Sequence, residues 1–329
     1  LSGVKCTNKW LGLCLSMSFV ILLTGCGSKE FTMKYDTDTN ISSYSVVAGA
    51  DDRAVPFAKG LCVVSEDIES TSEIESGSDS YGAAVLFDVN NAQPVYSRNC
   101  YATLYPASLT KVMTAIVAMK HGQKDDLIVC TDDVLITEEG AQLCGFKPGD
   151  TMTLDQAMHG LLMYSGNDAA VAIADGIAGS VESFCDLMNE EALSLGATGT
   201  HFVNPNGLHD ENHYTTPYDM YLIFNEAVKY DWFNEIINMQ GYTTSYATAD
   251  GSQKEITFNT TNLYLKGDAI APSSVTVIGG KTGTTMAAGN NLVLLSRDAG
   301  GNPFISVVMK AKDKGILYDK MTSLLGEIK

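Results

Sequence analysis

The chain reads as an α+β protein, an antiparallel sheet built from both chain ends with a helical cluster between them. Two observations predict this. Short apolar runs of strand length lie near the start, Ala83–Phe87 and Pro94–Ser97, and again near the end, Val275–Ile278, Leu292–Ser296 and Phe304–Lys310. Between them apolar residues recur at helical spacing over about 120 residues. Strands that flank a helical middle, with no strand-helix alternation, argue for an antiparallel sheet carrying a helix cluster.

In order, Asn90-Asn91 makes the turn between the first two strands. A buried helix over Ala107–Met119 follows: Leu109, Val112, Met113, Ile116 and Val117 share one face, Pro106 precedes the first turn and Gly122 stops the end. Residues 123–152 read as loops and short strands, with a turn at Lys147-Pro148-Gly149-Asp150. Helices are expected over Leu154–Met163, Ala169–Ile177 and Val181–Leu195, the last two ending at Gly179 and Gly196. Asn204–Tyr218 is rich in turn residues, and a helix started by Pro217 runs over Thr216–Val228. Asp298-Ala299-Gly300-Gly301-Asn302 joins the last two strands as a hairpin, and a final helix starts near Ile316.

The chain has 329 residues, 45% of them hydrophobic, enough for one large core or two small ones. A formal charge of −18 without a basic cluster argues against nucleic acid as a partner. Residues 1–25 read as a targeting segment: Lys5 and Lys9, then an apolar run from Trp10 to Leu23, of signal-peptide length and short for a membrane span. It ends in Leu23-Thr24-Gly25-Cys26, which resembles the lipobox of bacterial lipoproteins. That resemblance implies cleavage before Cys26 and a lipid on its sulfur, anchoring the protein to the outer face of the bacterial cytoplasmic membrane. Residues 26–80 read as a polar, acidic tether, in which Leu61–Val64 is one strand that docks on the domain. The folded domain is expected over residues 81–329. Of eight cysteines, Cys62, Cys100, Cys130, Cys144 and Cys185 lie beyond Cys26. Five is odd, and no C-x-x-C spacing exists, so apolar packing of free thiols is expected, with a disulfide still open.

Ser108 and Lys111 stand one turn apart on the central helix. A hydroxyl becomes a nucleophile when a base takes its proton, and a lysine held neutral can be that base. Alone the pair says little: Ser-x-x-Lys arises by chance about once in such a length, and it does so at Ser2–Lys5. Two further motifs follow in order. Ser165-Gly166-Asn167 lies in a loop between helices, and Lys281-Thr282-Gly283-Thr284 follows a strand and lines a strand edge. Each has a chance expectation of roughly 0.1, so the ordered set carries weight that no member has alone.

Together these motifs resemble the penicillin-binding and serine β-lactamase superfamily. Pro106–Ala115, and Asn204-Pro205-Asn206-Gly207-Leu208 with His213 and Asp219, look like low-molecular-mass D-alanyl-D-alanine carboxypeptidases over about Tyr81 to the C-terminus. The resemblance implies a β-lactamase/transpeptidase-like fold and no cofactor or metal. It implies a peptidoglycan stem peptide ending in D-Ala-D-Ala as substrate and β-lactam antibiotics as acylating ligands. Ser108 would be acylated. Lys111, kept neutral by Lys281 and partial burial, would take its proton, Ser165 would relay a proton to the leaving amine, and Asn167 would orient Lys111. Lys281 with the hydroxyls of Thr282 and Thr284 would hold the terminal carboxylate, Gly283 would let the substrate lie against the strand, and the N–H groups of Ser108 and Thr284 would form the oxyanion hole. Many relatives carry a second β-rich domain, for which this sequence shows no counterpart, so the N-terminal lipid is expected to do the anchoring.

Three alternatives stand beside this reading. A β-lactamase shares the acylation chemistry but needs a deacylating carboxylate, and Glu190 and Glu191 fall in a helix that fits the carboxypeptidase pattern. A non-catalytic penicillin-binding sensor would keep the same residues. A zinc peptidase would rest on His209 and His213, but Glu211 is not beside the first histidine as H-E-x-x-H requires, and Gly207 and Pro217 disfavour a helix there.

Overall fold

A computed structural model describes residues 60–68 and 80–329. The leader, Cys26 and most of the tether lie outside the described residues. Strands β1 (Ala83–Asp88) and β2 (Gln93–Arg98) form the first hairpin. A 3-10 turn, Ala107–Leu109, leads into α1 (Thr110–His121). Short strands β3 (Leu127–Val129) and β4 (Thr151–Thr153) precede α2 (Leu154–His159), which widens into a π turn over Gly160–Tyr164. Then come α3 (Asn167–Ala178), α4 (Val181–Ser194), α5 (Pro217–Ala227) and α6 (Asp231–Ile237). The chain closes with β5 (Gly241–Ala247), β6 (Gln253–Asn259), α7 (Leu263–Lys266), β7 (Thr276–Thr285), β8 (Gly289–Arg297), β9 (Pro303–Ala311) and α8 (Lys314–Leu325).

Both chain ends build one antiparallel sheet, in the order β2-β1-β9-β8-β7. Its strands alternate between two cores. Ile305, Val307 and Met309 of β9 pack with the helical cluster, whereas Phe304 and Val308 pack with Leu317, Met321, Leu324 and Leu325 of α8. The sheet is therefore covered on both faces, which is why its strands read as near-continuous apolar runs. Helix α1 is buried all round from Thr110 to Ala118, the signature of a helix inside a large core.

Several expectations need correction. The central helix begins as a 3-10 turn, so Ser108 precedes the α-helix. Gly122 ends α1 in extended backbone (φ −133°), without the left-handed cap. A Cβ there would lie 2.6 Å from Leu154 Cδ2 and 2.7 Å from Ile177 Cδ1, so helix packing requires the glycine. Leu61–Val64 docks but forms no strand: Cys62 is buried, its N–H bonds to Tyr221 Oη at 2.9 Å, and Ile68 bridges Ser97. A second sheet, β3-β4-β5-β6, was not expected. Its hairpin β5–β6 carries Thr, Ser, Lys and Glu, and only Tyr246 and Phe258 are buried, so no apolar run marks it. All five cysteines among the described residues are unpaired thiols.

Candidate active site

Three elements bring Ser108, Ser165, Asn167, Thr282, Gly283 and Thr284 to the wall of one cavity of about 700 Å³, with Lys111 and Lys281 buried outside its lining. The 3-10 turn before α1 presents Ser108 on its wall. The π turn after α2 ends at Ser165 in left-handed backbone (φ 68°), and Asn167 opens α3. Gly166 sits between them against Cys144, whose Sγ would collide with any Cβ there. The Lys281-Thr282-Gly283-Thr284 stretch lies inside β7, the edge strand of the large sheet, rather than beyond a strand that ends at Ile278.

Lys111 is wholly buried, 56 residues from one partner and 95 from another. Its Nζ lies 2.9 Å from Ser108 Oγ, 2.7 Å from Asn167 Oδ1 and 2.5 Å from Asn206 O. Among the described residues no carboxylate makes a salt bridge to it. Burial holds its pKa well below the usual lysine range, and the neighbouring Lys281 lowers it further, against weaker opposing effects of Cys144 and Asp168. Once Nζ gives up its third hydrogen, its two N–H bonds stay with the acceptors Asn167 Oδ1 and Asn206 O, and its lone pair faces the one partner that can donate, the Ser108 hydroxyl.

Lys281 is also buried, and desolvation alone pulls it down to about 7. Its Nζ donates to Ser165 Oγ and to Thr282 O, both at 2.8 Å. Ser165 therefore keeps its own hydrogen for a substrate atom. Thr282 Oγ1 is 2.6 Å from Thr261 Oγ1, and Thr284 Oγ1 donates to Asn290 Oδ1 at 3.1 Å. Gly283 serves the nucleophile's turn: a Cβ there would stand 2.9 Å from Pro106 O and 3.0 Å from the backbone nitrogens of Ser108 and Leu109. The sequence reading had tied that glycine to substrate approach.

Supports that the sequence did not reveal are backbone groups and buried amides. Asn206 offers its carbonyl to Lys111. Asn291 donates to the carbonyls of Tyr105 and Pro106 at 3.0 Å each and accepts from Lys310 N–H at 2.7 Å, tying the nucleophile's turn to the sheet. The Asp168 carboxylate receives the N–H groups of Cys144, Gly145 and Phe146, which fixes the loop carrying Glu138–Gln142 along the cavity. Lys314, exposed and without an ion-pair partner among the described residues, lines the same cavity. His213 is buried and bonded to Thr110, so it supports the site from inside. Among the described residues no group of three potential metal ligands is gathered.

The molecule resembles known proteins in sequence and in structure. It is 35% identical over 202 residues to the D-alanyl-D-alanine carboxypeptidase DacF of Bacillus subtilis, covering 60% of this chain and 50% of that protein. It is 34% identical over 262 residues to DacC of Escherichia coli, covering 77% of this chain and 62% of that protein. The chain thus spans between half and two thirds of these relatives. The crystal structure of the Streptomyces K15 DD-transpeptidase superposes with a TM-score of 0.69 at 26% identity, over 75% of this chain and 96% of that one. The sequence profile of peptidase S11 matches residues 65–313, a span that holds all three motifs and the elements that carry them, and the chain belongs to this D-alanyl-D-alanine carboxypeptidase family.

Proposed function

We propose that the chain is a serine D-alanyl-D-alanine carboxypeptidase that removes the terminal D-Ala from peptidoglycan stem peptides and is acylated by β-lactams. The observation that carries this is the buried Lys111 amine, 2.9 Å from Ser108 Oγ, with burial and Lys281 holding its pKa well below the usual lysine range. Lys111 Nζ takes the Ser108 proton as Oγ attacks the carbonyl of the penultimate D-Ala. Charge develops on that oxygen against the N–H groups of Ser108 and Thr284, each worth roughly 3–4 kcal/mol in acyl transfer. The C–N bond then breaks. The proton from Lys111 passes through Ser165 to the leaving amine, giving free D-Ala and an ester on Ser108. Water, deprotonated by Lys111, hydrolyses that ester and restores the enzyme.

Thr282, with Thr261 donating to it, offers its hydroxyl to the terminal carboxylate, and Thr284 joins it by turning its hydroxyl away from Asn290 Oδ1. Lys281 adds its field from below and Lys314 an exposed ammonium on the wall. Asn167 and Asn206 hold Lys111 with its lone pair on Ser108. The substrate backbone lies along the free edge of β7. The lipobox-like Leu23-Thr24-Gly25-Cys26 supports anchoring at the outer face of the cytoplasmic membrane through a lipid on Cys26.

The β-lactamase reading has one observation in its favour: Glu138 and Glu139 line the cavity, where a carboxylate could activate the deacylating water. Glu190 and Glu191 do not line it, and Glu191 pairs with Lys120. Two assays test the proposal. A peptide ending in D-Ala-D-Ala should release D-Ala with the wild type and not with Ser108→Ala. Benzylpenicillin should leave a lasting adduct of one equivalent that Ser108→Ala abolishes. Rapid drug loss without an adduct would favour the β-lactamase, an adduct without D-Ala release the sensor, and neither would refute the serine chemistry.

A further inference from the structure

Three hydrogen bonds run in one direction from the segment after α4 to the residue before Ser108. Val203 N–H donates to His213 Nδ1 at 3.2 Å. A backbone amide only donates, so Nδ1 carries no hydrogen and the ring proton sits on Nε2. Nε2 lies 2.7 Å from Thr110 Oγ1, to which it must donate. The Thr110 hydroxyl then has its own hydrogen for Ala107 O, 2.8 Å away, because a carbonyl only accepts. His213, Thr110 and Ala107 are all buried, so water does not compete for these bonds.

The chain ends on a peptide unit under strain. Ala107 has φ 50°, a left-handed conformation that costs an L-residue roughly 1–2 kcal/mol. The carbonyl of Ala107 and the N–H of Ser108 belong to the same planar trans peptide, so they point in opposite directions. Holding Ala107 O toward Thr110 therefore turns Ser108 N–H the other way. On that side lies Gly283 of β7, where a Cβ would come within 3.0 Å of Ser108 N. The turn at Gly207 presses on the same unit from below: any Cβ at Gly207 would collide with Ala107 O. The residue before it, Asn206, supplies the carbonyl that holds Lys111. One segment thus registers both the base and the nucleophile's peptide.

We infer that His213 is a positioning residue which, through Thr110, fixes the Ala107–Ser108 peptide so that Ser108 N–H is presented as an oxyanion donor. The inference rests on the acyl-transfer function proposed above. It assigns His213 a role other than metal ligand or general base. Its ring never touches substrate, and it acts through a hydroxyl and a peptide plane. The interaction matters when charge develops on the substrate oxygen and not when substrate docks. Its loss should appear in the limiting rate of acylation and not in the half-saturating concentration.

The experiment measures acylation of the full chain by a fluorescent penicillin over a range of drug concentrations, separating limiting rate from half-saturation, with a thermal melt of each variant. Thr110→Val keeps the shape and removes the hydroxyl. Its limiting rate should fall about 10- to 100-fold, below the full loss of a donor because Thr110 N–H still bonds to Ala107 O. Half-saturation should stay near the wild-type value, and Thr110→Ser should restore the rate. His213→Leu should match Thr110→Val, and the double variant should be no slower than either. If His213→Leu does not fold, the valine–serine comparison decides alone. A wild-type limiting rate in Thr110→Val overturns the inference, as does a loss that tracks only the folded fraction and is not restored by serine. Failure of the wild type itself to be acylated overturns the function proposal, and this inference with it.

Discussion

Replacing Lys281 by methionine should make the protein more stable at neutral pH while removing its chemistry. The wild-type ammonium falls from 10.5 to about 7 because it is buried without a counter-charge. Between those values the unfolded chain binds more protons than the folded one, so wild-type stability rises with pH. Integrating that difference gives a penalty of about 4 kcal/mol at pH 7 and about 2 kcal/mol at pH 9. Against this, the bonds to Ser165 Oγ and Thr282 O are lost, at about 1 kcal/mol each. Lys281→Met should therefore exceed the wild type by about 2 kcal/mol at pH 7 and by close to nothing at pH 9. Loss of the Lys281 charge also relaxes the depression of Lys111, which acts in the same direction. Urea unfolding of both proteins at the two pH values reads the difference directly, and groups that do not interact with Lys281 cancel. A difference that does not change with pH, or a less stable variant at pH 7, would refute the claim that Lys281 is buried at a cost kept for function.

Other positions give sharper but simpler outcomes. Gly283→Ala forces a methyl against Pro106 O and Ser108 N, and should cost about 1–3 kcal/mol of stability and most of the acylation rate, read by melting and by penicillin labelling. Asn291→Ala leaves the Tyr105 and Pro106 carbonyls and the Lys310 N–H without partners; a loss of about 2–3 kcal/mol in urea titration is expected. Cys26→Ala should move the protein from the membrane to the soluble fraction on cell fractionation, and retention in the membrane would count against the lipid anchor.

Much of the fold was legible because the central strands of the large sheet and α1 are buried on both faces: Ala83–Phe87, Leu292–Ser296 and Phe304–Met309 read as core strands, and Val112–Ala118 as a core helix. The hairpin β5–β6 was invisible for the opposite reason: it buries one edge of alternating Thr and Tyr, leaving Asp250-Gly251 as its main local signal. At the site, the residues that use side chains were readable as motifs, since their spacing follows from one helix turn, one loop and one strand. The residues that use backbone were named by the same motifs, but their roles were not readable. Asn206 acts through its carbonyl, and Gly283 through the space it leaves for Ser108. His213 stood out in the sequence as part of the family resemblance and as half of a histidine pair, but without a role, because its contact with Thr110, 103 residues away, depends on the folded segment after α4.

The central claim is that Lys111 reaches Ser108 as a neutral amine. The pH dependence of the acylation rate by benzylpenicillin, measured on the full chain from pH 5 to 10.5, tests it most directly. The account predicts a rate that rises at low pH and levels off well short of pH 10.5, because burial and then Lys281 hold Lys111 well below 10.5. A rate that keeps rising toward pH 10.5, as for an ordinary solvated lysine, would contradict it.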